Sequence, residues 1–289
     1  MVPAPPHPPR AAWLPLVDRA LAEDVGAGDV TSSLVLAEEA RLDAVLEARA
    51  ALVVCGLRVA EEVLHRVDAS IEVCAAAAEG SAALAGQALL HLVGPARAIL
   101  TAERTALNFV GRMAGVATLT GRFVERVAGT GAAIVDTRKT LPGWRVLDKY
   151  AVAVGGGVNH RAGLFDAVLI KDNHVAAAGG VAPAVKAALA GAPAHLWIQV
   201  EVESEAQAEE AVAAGARAQL LDNMALGELR RIADRFRERV VLEASGGVTL
   251  ANVRDIAETG VHRISVGALT HSAPAADVAL EAALRRREP

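Results

Sequence analysis

Aromatic side chains are scarce in this chain. They make up 3% of its 289 residues, with three tryptophans and one tyrosine. Proteins that hold single-stranded nucleic acid commonly stack its bases on aromatic rings. The formal net charge of −5 also provides no general attraction to a polyanion. The composition therefore predicts a protein without a nucleic-acid partner.

Cysteines and long apolar runs are also few. Cys55 and Cys74 are the only cysteines and lie in apolar stretches, which predicts buried thiols without a disulfide. Apolar runs such as Ala187–Ala190 are too short to cross a bilayer. The proline-rich residues 1–9 lack the apolar core of a secretion signal. We therefore expect a cytoplasmic protein that neither spans a membrane nor is secreted.

The first third of the chain mixes helix and strand signals without a regular alternation. Its hydrophobic fraction, 53% over the whole chain, is ample for a large core. Gly94-Pro95 is expected to open a helix that breaks near Gly111–Gly115 and resumes to about Val127. Before it, a helix is predicted over Trp13–Glu23 and strands over Val45–Val54 and Ser70–Cys74. Leu84–Val93 is predicted as a further strand or as a hairpin interrupted at Gly86.

From Gly131 onward, predicted strands and helices alternate. The strands are Ala132–Asp136, Ala167–Lys171, Trp197–Glu203, Ala218–Asp222, Val240–Ala244 and Arg263–Val266. The helices between them are Arg145–Val154, Pro183–Ala190, Glu205–Ala214, Leu226–Arg237 and Leu250–Thr259. Repeated βα units predict a parallel sheet with right-handed crossovers.

The spacing of these strands is typical of a βα barrel, but six strands would leave it incomplete. An open doubly wound sheet is the alternative architecture. A last helix is expected over Ala275–Arg287, where it either closes the barrel or returns to the first domain.

Polar residues or glycines follow all six predicted strands. Each has an ordinary interpretation by itself: a lysine is usually a surface charge, a carboxylate a salt-bridge partner, and a glycine a turn. Their concentration at one end of the sheet is what indicates an active site, because barrel enzymes build theirs there. These residues are Thr137, Arg138, Lys139, Lys171, Glu201, Asp222, Ser245, Gly246, Gly247, Val266, Gly267 and Ala268.

The residue types at this end predict a polyanionic ligand. Ser245–Gly247, before a helix expected near Thr249, and Val266–Ala268 offer backbone N–H groups suited to a phosphate. Arg138, Lys139, His160, Arg161 and Lys171 supply the basic side. Glu201 and Asp222 are candidate Mg²⁺ ligands, and glycine-rich Gly155–Arg161 is expected to be a pliable loop. The chemistry alone does not identify the reaction.

These motifs resemble the quinolinate phosphoribosyltransferase family. DTRKT within Asp136–Gly143, GGGVNHR within Lys149–Arg161 and LIKDNH over Leu169–His174 are together highly specific. Further resembling segments follow in the expected order along nearly the whole chain. They are Leu21–Thr31, Glu103–Asn108, Glu201–Glu203, Leu221–Asn223, Glu243–Gly247 and Ile264–Ser272.

The resemblance implies an α/β fold: an open-faced α+β sandwich domain over residues 1–115, an incomplete barrel over 116–272, and a C-terminal helix over 273–289 that rejoins the first domain. It also implies an enzyme that converts quinolinate and phosphoribosyl pyrophosphate to nicotinate mononucleotide, pyrophosphate and CO₂ with Mg²⁺. The family forms dimers, so Arg104 would reach the site of the partner subunit.

Site roles follow from the same resemblance. Arg104, Arg138, His160 and Arg161 would neutralise the two quinolinate carboxylates, while Lys139 and Lys171 would face the pyrophosphate and ribose. Glu201 and Asp222 would organise Mg²⁺ and the ribose hydroxyls. Further substrate contacts are expected from Thr137, Ser245, Gly246, Gly247, Val266, Gly267, Ala268 and His271.

Three alternatives stay open at this point. The same fold could use another aromatic acid as acceptor. A phosphate-binding barrel aldolase could use Lys171 as a Schiff base, although such a lysine needs a desolvated pocket. A metabolite-binding regulator would bind phosphoribosyl pyrophosphate and release no pyrophosphate.

Overall fold

The computed structural model describes residues 5–282 and divides into two compact units. Among these residues, unit 1 comprises the chain up to Gly121, Leu141–Gly156 and the chain from Ala273. Unit 2 comprises Arg122–Thr140 and Gly157–Ser272. Of the predicted features, residues 1–4 of the proline-rich start and 283–287 of the last helix lie outside the described residues.

The elements run along the chain in the following order. The first half contains α1 Leu14–Val25, α2 Val30–Val35, β1 Arg41–Ala48, β2 Leu52–Val53, α3 Leu57–Val67, β3 Glu72–Ala75, β4 Ala82–Ala83, β5 Ala88–Pro95, α4 Ala96–Arg126, β6 Ala133–Val135 and α5 Arg145–Val154. The second half contains β7 Ala167–Ile170, α6 Asp172–Ala178, α7 Val181–Gly191, β8 Trp197–Val202, α8 Glu205–Ala213, β9 Ala218–Asp222, α9 Leu226–Phe236, β10 Val241–Ser245, α10 Val253–Ala257, β11 Arg263–Ser265, α11 Ala268–His271 and β12 Val278–Ala282.

Unit 1 is built on a four-stranded antiparallel sheet in the order β12-β1-β5-β3, beside the small pair β2-β4. Alternate residues of β1, namely Ala44, Leu46 and Ala48, are buried, as the period of a strand with one covered face requires. α3 buries an apolar stripe that includes Val59 and Val63. The unit therefore has its own core of one sheet and its helices.

The break predicted near Gly111–Gly115 is wrong, because α4 is continuous from Ala96 to Arg126. A Cβ on Gly115 would collide with the carbonyl oxygen of Pro274. The carbonyl of Gly111 accepts a 2.8 Å hydrogen bond from the amide of Ala276. These glycines thus serve the close approach of another backbone segment and do not end the helix.

The helix predicted over Ala275–Arg287 is wrong where the chain is described, because Val278–Ala282 forms strand β12. β12 pairs antiparallel with β1, from Val278 opposite Ala48 to Ala282 opposite Ala44. Alanine and leucine favour helix locally, but edge pairing on an existing sheet outweighs that weak preference.

The cysteines differ in part from the prediction that both thiols are buried. Cys55 is buried as expected, whereas the side chain of Cys74 is exposed.

Unit 2 is a six-stranded parallel sheet in the order β6-β11-β10-β9-β8-β7. Strands β7 to β11 neighbour one another in chain order, and β6 lies beside β11. This is the cyclic order of a barrel that is open between β6 and β7, without the order reversal of a doubly wound sheet. All six predicted strands are confirmed, and so is the prediction of an incomplete barrel.

The helices that lie between these strands in the sequence are largely as predicted. α5 has the predicted bounds, and α7, α8 and α9 each differ by one or two residues. Two helices that follow strands differ more from the prediction. Helix α6, after β7, was not predicted, and helix α10, after β10, begins only at Val253. Among the described residues, no helix combines the length and apolar character needed to span a membrane.

Candidate active site

A polar pocket of about 440 Å³ opens at the carboxyl ends of the unit 2 strands. Its cations are Arg138, Lys139, Arg161 and Lys171, and each comes from a segment that follows a strand or borders one. The other lining residues are Asp136, Thr137, His160, Leu169, Leu220, Asp222, Asn223, Glu243, Ser245, Gly246, Gly247 and Ser265. The convergence of four cations predicts that the ligand is strongly anionic.

The loop after β6 places Lys139 against the loop after β11. The Lys139 amide donates a 3.0 Å hydrogen bond to Oγ1 of Thr137, and the hydroxyl of Thr270 donates a 2.8 Å bond to the Lys139 carbonyl. A Cβ on Gly267 would lie 3.2 Å from Cδ of Lys139 and 3.1 Å from Nε2 of His271. The structure thus gathers Lys139, Gly267 and His271, although the last two do not line the pocket.

Residues 158–160, within the segment predicted to be a pliable loop, are instead held beside β6 by hydrogen bonds. Val158 forms an isolated parallel bridge with Val135, through hydrogen bonds of 2.8 and 3.1 Å to the backbone of residues 134 and 136. The amide of His160 then donates a 2.7 Å bond to Oδ1 of Asp136, a fully buried carboxylate. The three consecutive glycines Gly155–Gly157 indicated flexibility. The pairing of Val158 with β6 could not be predicted from them, because β6 is distant in sequence.

Arg161 is held in the pocket by a hydrogen bond from its side chain to the backbone of a nearby strand. Its guanidinium donates a 3.2 Å hydrogen bond to the carbonyl of Ala167 at the start of β7. Burial lowers the pKa of Arg161, and the nearby charge of Arg138 lowers it further. Two guanidinium groups that lie close together repel each other, which costs free energy. Their proximity therefore indicates a ligand with more than one negatively charged group.

The acidic side of the pocket is formed at the ends of β8 and β9. Nζ of Lys171 forms an ion pair with Glu201, whose side chain is 7% exposed. Glu201 lies opposite Leu220 in the register, two residues before Asp222, so both carboxylates project from the same face. Among the residues described, no group of three or more His, Cys, Asp or Glu side chains forms a candidate metal cluster.

The glycine loop after β10 is fixed by the end of β9. Asn223 has a left-handed φ of 53°, and its amide donates a 2.8 Å hydrogen bond to the carbonyl of Ser245. Its side chain donates a 2.6 Å bond to Oδ2 of Asp222. The helix expected from near Thr249 is present, but it begins later than predicted, because α10 starts at Val253. The phosphate site predicted at Ser245–Gly247 would therefore consist of loop amides and would not include the terminus of a helix.

A buried polar chain under the pocket was missed by the sequence analysis. His160 Nε2 lies 3.1 Å from Oε1 of Gln199, and Nε2 of Gln199 donates a 3.2 Å hydrogen bond to Oε2 of Glu243. Gln199 is 1% exposed and Glu243 is fully buried. The available signal was strand alternation, because Gln199 precedes Glu201 by two residues and Glu243 precedes Ser245 by two.

Six residues predicted for the site do not line this pocket. Of these, Glu201 pairs with the lining residue Lys171, and Gly267 lies beside Lys139 and His271. Val266 is 1% exposed behind the strand end, and Ala268 begins α11. Arg104 is an exposed residue of α4 in unit 1. Unit 1 has its own cavity of about 580 Å³, lined by residues that include Arg19, Glu23 and Asp24. That cavity has one cation among its lining residues, so we place the chemistry in unit 2.

Comparison with known families gives two adjacent matches along the chain. Residues 116–281 match the model "Quinolinate phosphoribosyl transferase, C-terminal domain", and residues 29–114 match "Quinolinate phosphoribosyl transferase, N-terminal domain". The chain is 44% identical over 271 residues to a nicotinate-nucleotide pyrophosphorylase [carboxylating] from Mycobacterium leprae, covering 92% of this chain and 95% of that protein. It is 38% identical over 269 residues to a probable enzyme of the same name from Bacillus subtilis, covering 93% of both.

Solved structures agree with these matches. The nicotinate-nucleotide pyrophosphorylase from Francisella tularensis superposes with a TM-score of 0.91 at 39% identity, covering 95% of this chain and 97% of that one. The NadC structure from Streptococcus pyogenes gives a TM-score of 0.92 at 35% identity, covering 96% and 98%. The sandwich-and-open-barrel fold is therefore confirmed across nearly the full length of the chain.

Proposed function

This chain belongs to the quinolinate phosphoribosyl transferase family, and we propose that its unit 2 pocket joins quinolinate to phosphoribosyl pyrophosphate. The products are nicotinate mononucleotide, pyrophosphate and CO₂, so the enzyme is a decarboxylating pentosyltransferase of NAD synthesis. The observation that supports the pocket as the site is the convergence of Arg138, Lys139, Arg161 and Lys171 at one end of the strands. Both substrates are small polyanions, which this charge distribution suits.

Arg138 and Arg161 face the two carboxylates of quinolinate in this proposal. A guanidinium binds a carboxylate through a two-pronged hydrogen bond that fixes orientation as well as charge. The ring nitrogen of quinolinate is then held toward the anomeric carbon of the ribose. Orientation of this kind accelerates a reaction between two bound substrates without any covalent enzyme intermediate.

Lys139 and Lys171 neutralise the pyrophosphate side. As the bond from ribose to pyrophosphate breaks, the ribose develops the character of an oxocarbenium ion, and Glu201 and Asp222 face this positive charge. Lys171 already pairs with Glu201 in the structure, which holds both groups before the substrate arrives. The loop amides of Ser245–Gly247 bind the 5′-phosphate.

Magnesium fits the donor set of the pocket. Glu201 and Asp222 are two oxygen donors on one face beside a site for phosphates, and Mg²⁺ takes one or two carboxylates together with phosphate oxygens and water. When bound, the ion would neutralise charge on the pyrophosphate group. All other steps use the side chains of the chain itself.

Decarboxylation needs no further protein group. Once the ring nitrogen carries the ribose it is cationic, and it stabilises the electron pair left on the adjacent ring carbon when the carboxylate departs as CO₂. A proton from water then binds to that carbon and completes nicotinate mononucleotide. The arginines hold that carboxylate until the glycosidic bond has formed. The ion pair of Lys171 with Glu201 also disfavours the aldolase alternative, since a Schiff-base lysine must lose its proton.

We further propose a cytoplasmic homodimer in which Arg104 binds a quinolinate carboxylate in the partner's site. The support is that Arg104 is exposed on α4 of unit 1, within the Glu103–Asn108 motif. An assay of pyrophosphate release with both substrates tests the proposed function. Release that requires quinolinate supports it, whereas binding of phosphoribosyl pyrophosphate without turnover would favour a regulator.

A further inference from the structure

Both ring nitrogens of His160 have hydrogen-bond partners in the structure. Nδ1 lies 2.8 Å from the backbone amide of Arg161, which donates to it. A backbone N–H can only donate, so Nδ1 must be the unprotonated nitrogen. Nε2 therefore carries the proton of a neutral imidazole, and the geometry indicates one tautomer.

This tautomer determines the orientation of the residues beneath it. Because Nε2 of His160 donates, Gln199 must present its oxygen, Oε1, at 3.1 Å. The amide nitrogen of Gln199 then points to Oε2 of Glu243 at 3.2 Å, where the carboxylate accepts. The reverse orientation of Gln199 would place two hydrogen-bond donors, or two acceptors, against each other at one of these contacts.

The charged groups around His160 oppose one another. Glu243 has its other oxygen, Oε1, 3.7 Å from Nε2, which favours an imidazolium. Arg138, Lys139, Arg161 and Lys171 line the same pocket and disfavour a further cation, while Asp136 accepts a hydrogen bond from the backbone amide of His160. A proton on Nδ1 would face the Arg161 amide at 2.8 Å. Because two N–H donors at so short a distance would repel each other, the contact with the Arg161 amide favours the neutral ring.

We propose that Gln199 and Glu243 are positioning residues that hold His160 as a neutral imidazole with its proton on Nε2, and that His160 in turn fixes Arg161 at the pocket. The inference deepens the proposed function and rests on it for the identity of the ligand. It changes the role implied for His160 by family resemblance: quinolinate charge is met by the arginines, and His160 contributes orientation.

The protonation state can be measured directly by NMR of protein labelled with ¹⁵N in its histidine rings. The chain has eight histidines, and His160→Gln identifies the signals that belong to His160. We expect separate signals for a protonated Nε2 and an unprotonated Nδ1 at neutral pH, with and without quinolinate. Two protonated ring nitrogens, or a proton that moves to Nδ1 when quinolinate binds, would overturn the proposal.

A pair of glutamine variants tests the positioning role. Gln199→Leu removes the acceptor for His160, whereas Gln219→Leu changes a buried glutamine of the neighbouring strand, whose amide donates to the Ala208 carbonyl. We expect Gln199→Leu to raise the KM for quinolinate about tenfold, with the KM for phosphoribosyl pyrophosphate within about twofold and the His160 tautomer lost. Gln219→Leu should change neither KM nor the His160 signals. Equal effects of the two variants would reduce Gln199 to a structural residue.

Glu243→Gln separates geometry from charge. The substituted amide can still accept from Gln199, so we expect the His160 signals to stay those of the wild-type tautomer and the quinolinate KM to rise less than in Gln199→Leu. A quinolinate KM that rises as far as in Gln199→Leu would show that the negative charge is required, against the proposal. The wild-type NMR result stands even if Gln199→Leu fails to fold. If the enzyme does not turn over quinolinate, the proposed function fails while the tautomer remains measurable.

Discussion

The side chain of Asn223 occupies the space that a Cβ on Gly246 would need. The same asparagine has a φ of 53°, donates through its backbone to Ser245, and donates through its side chain to Asp222. One residue thus joins a carboxylate at the end of β9 to the glycine loop after β10. We expect changes in this contact to affect binding of the phosphoribosyl group more than binding of the acceptor.

Gly246→Ala tests that relationship. The added methyl group would collide with Asn223, and Gly246 also has a φ of +99°, which disfavours any side chain. We expect the KM for phosphoribosyl pyrophosphate to rise about tenfold or more, with a smaller change for quinolinate. Gly227→Ala in helix α9 has no atom closer than 3.7 Å to the new Cβ and serves as the control. A uniform change in both KM values would contradict the assignment of this loop.

Much of the barrel could be predicted from sequence because its strands are short, mostly apolar segments that end in polar residues. Ala218–Asp222, for example, has the predicted bounds. The same reasoning failed at Gly111–Gly115 and Val278–Ala282, where a distant segment decides the structure. A glycine read alone suggests flexibility, and only the position of Pro274 shows that it permits close packing.

The pocket residues divide in a similar way. Arg138, Lys171 and Asp222 lie at or shortly after the ends of strands, so their meeting could be predicted from the topology of a parallel sheet. Gln199 and Glu243 lie inside strands, and of the two Glu243 lines the pocket. Glu243 begins the Glu243–Gly247 motif, but that motif does not indicate the contact of Glu243 with Gln199, so the role of both residues required the structure.

Substrate choice should depend on the paired arginines of the pocket. Nicotinate lacks one of the two carboxylates of quinolinate, so the half-buried guanidinium of Arg138 or of Arg161 would lose its ligand partner. An unmatched polar group in a site built for it costs enough to reduce kcat/KM by several orders of magnitude, about 10⁴-fold. Side-by-side kinetics with the two acids check this. Comparable kcat/KM values would contradict the proposed acceptor.

Removal of divalent cations should stop turnover without unfolding the protein. Glu201 forms an ion pair with Lys171, so its carboxylate has a cationic partner within the chain itself. We expect EDTA to abolish pyrophosphate release, Mg²⁺ to restore it, and the circular dichroism spectrum to stay constant throughout. Loss of the fold on chelation would mean that the metal is structural.

Arg104 and Lys171 should complement each other between subunits. Arg104→Ala should leave the fold intact, because an exposed arginine contributes little stability, yet it should inactivate the partner's site. Lys171→Ala should inactivate the site of its own chain. After subunit exchange at equal mixing, about half of the dimers carry one intact site, so activity should return to about a quarter of wild type. No recovery despite demonstrated exchange would place Arg104 outside the partner's site.

The order of bond formation and decarboxylation is tested most directly with quinolinate labelled with carbon-14 in the carboxylate beside the ring nitrogen. We predict one labelled CO₂ per pyrophosphate released, only when phosphoribosyl pyrophosphate is present. Lys171→Ala should lose both products together, while Lys186→Ala, an exposed lysine of α7, should retain them. Pyrophosphate release without labelled CO₂, or full activity in Lys171→Ala, would contradict the central claim that this pocket carries out decarboxylating phosphoribosyl transfer.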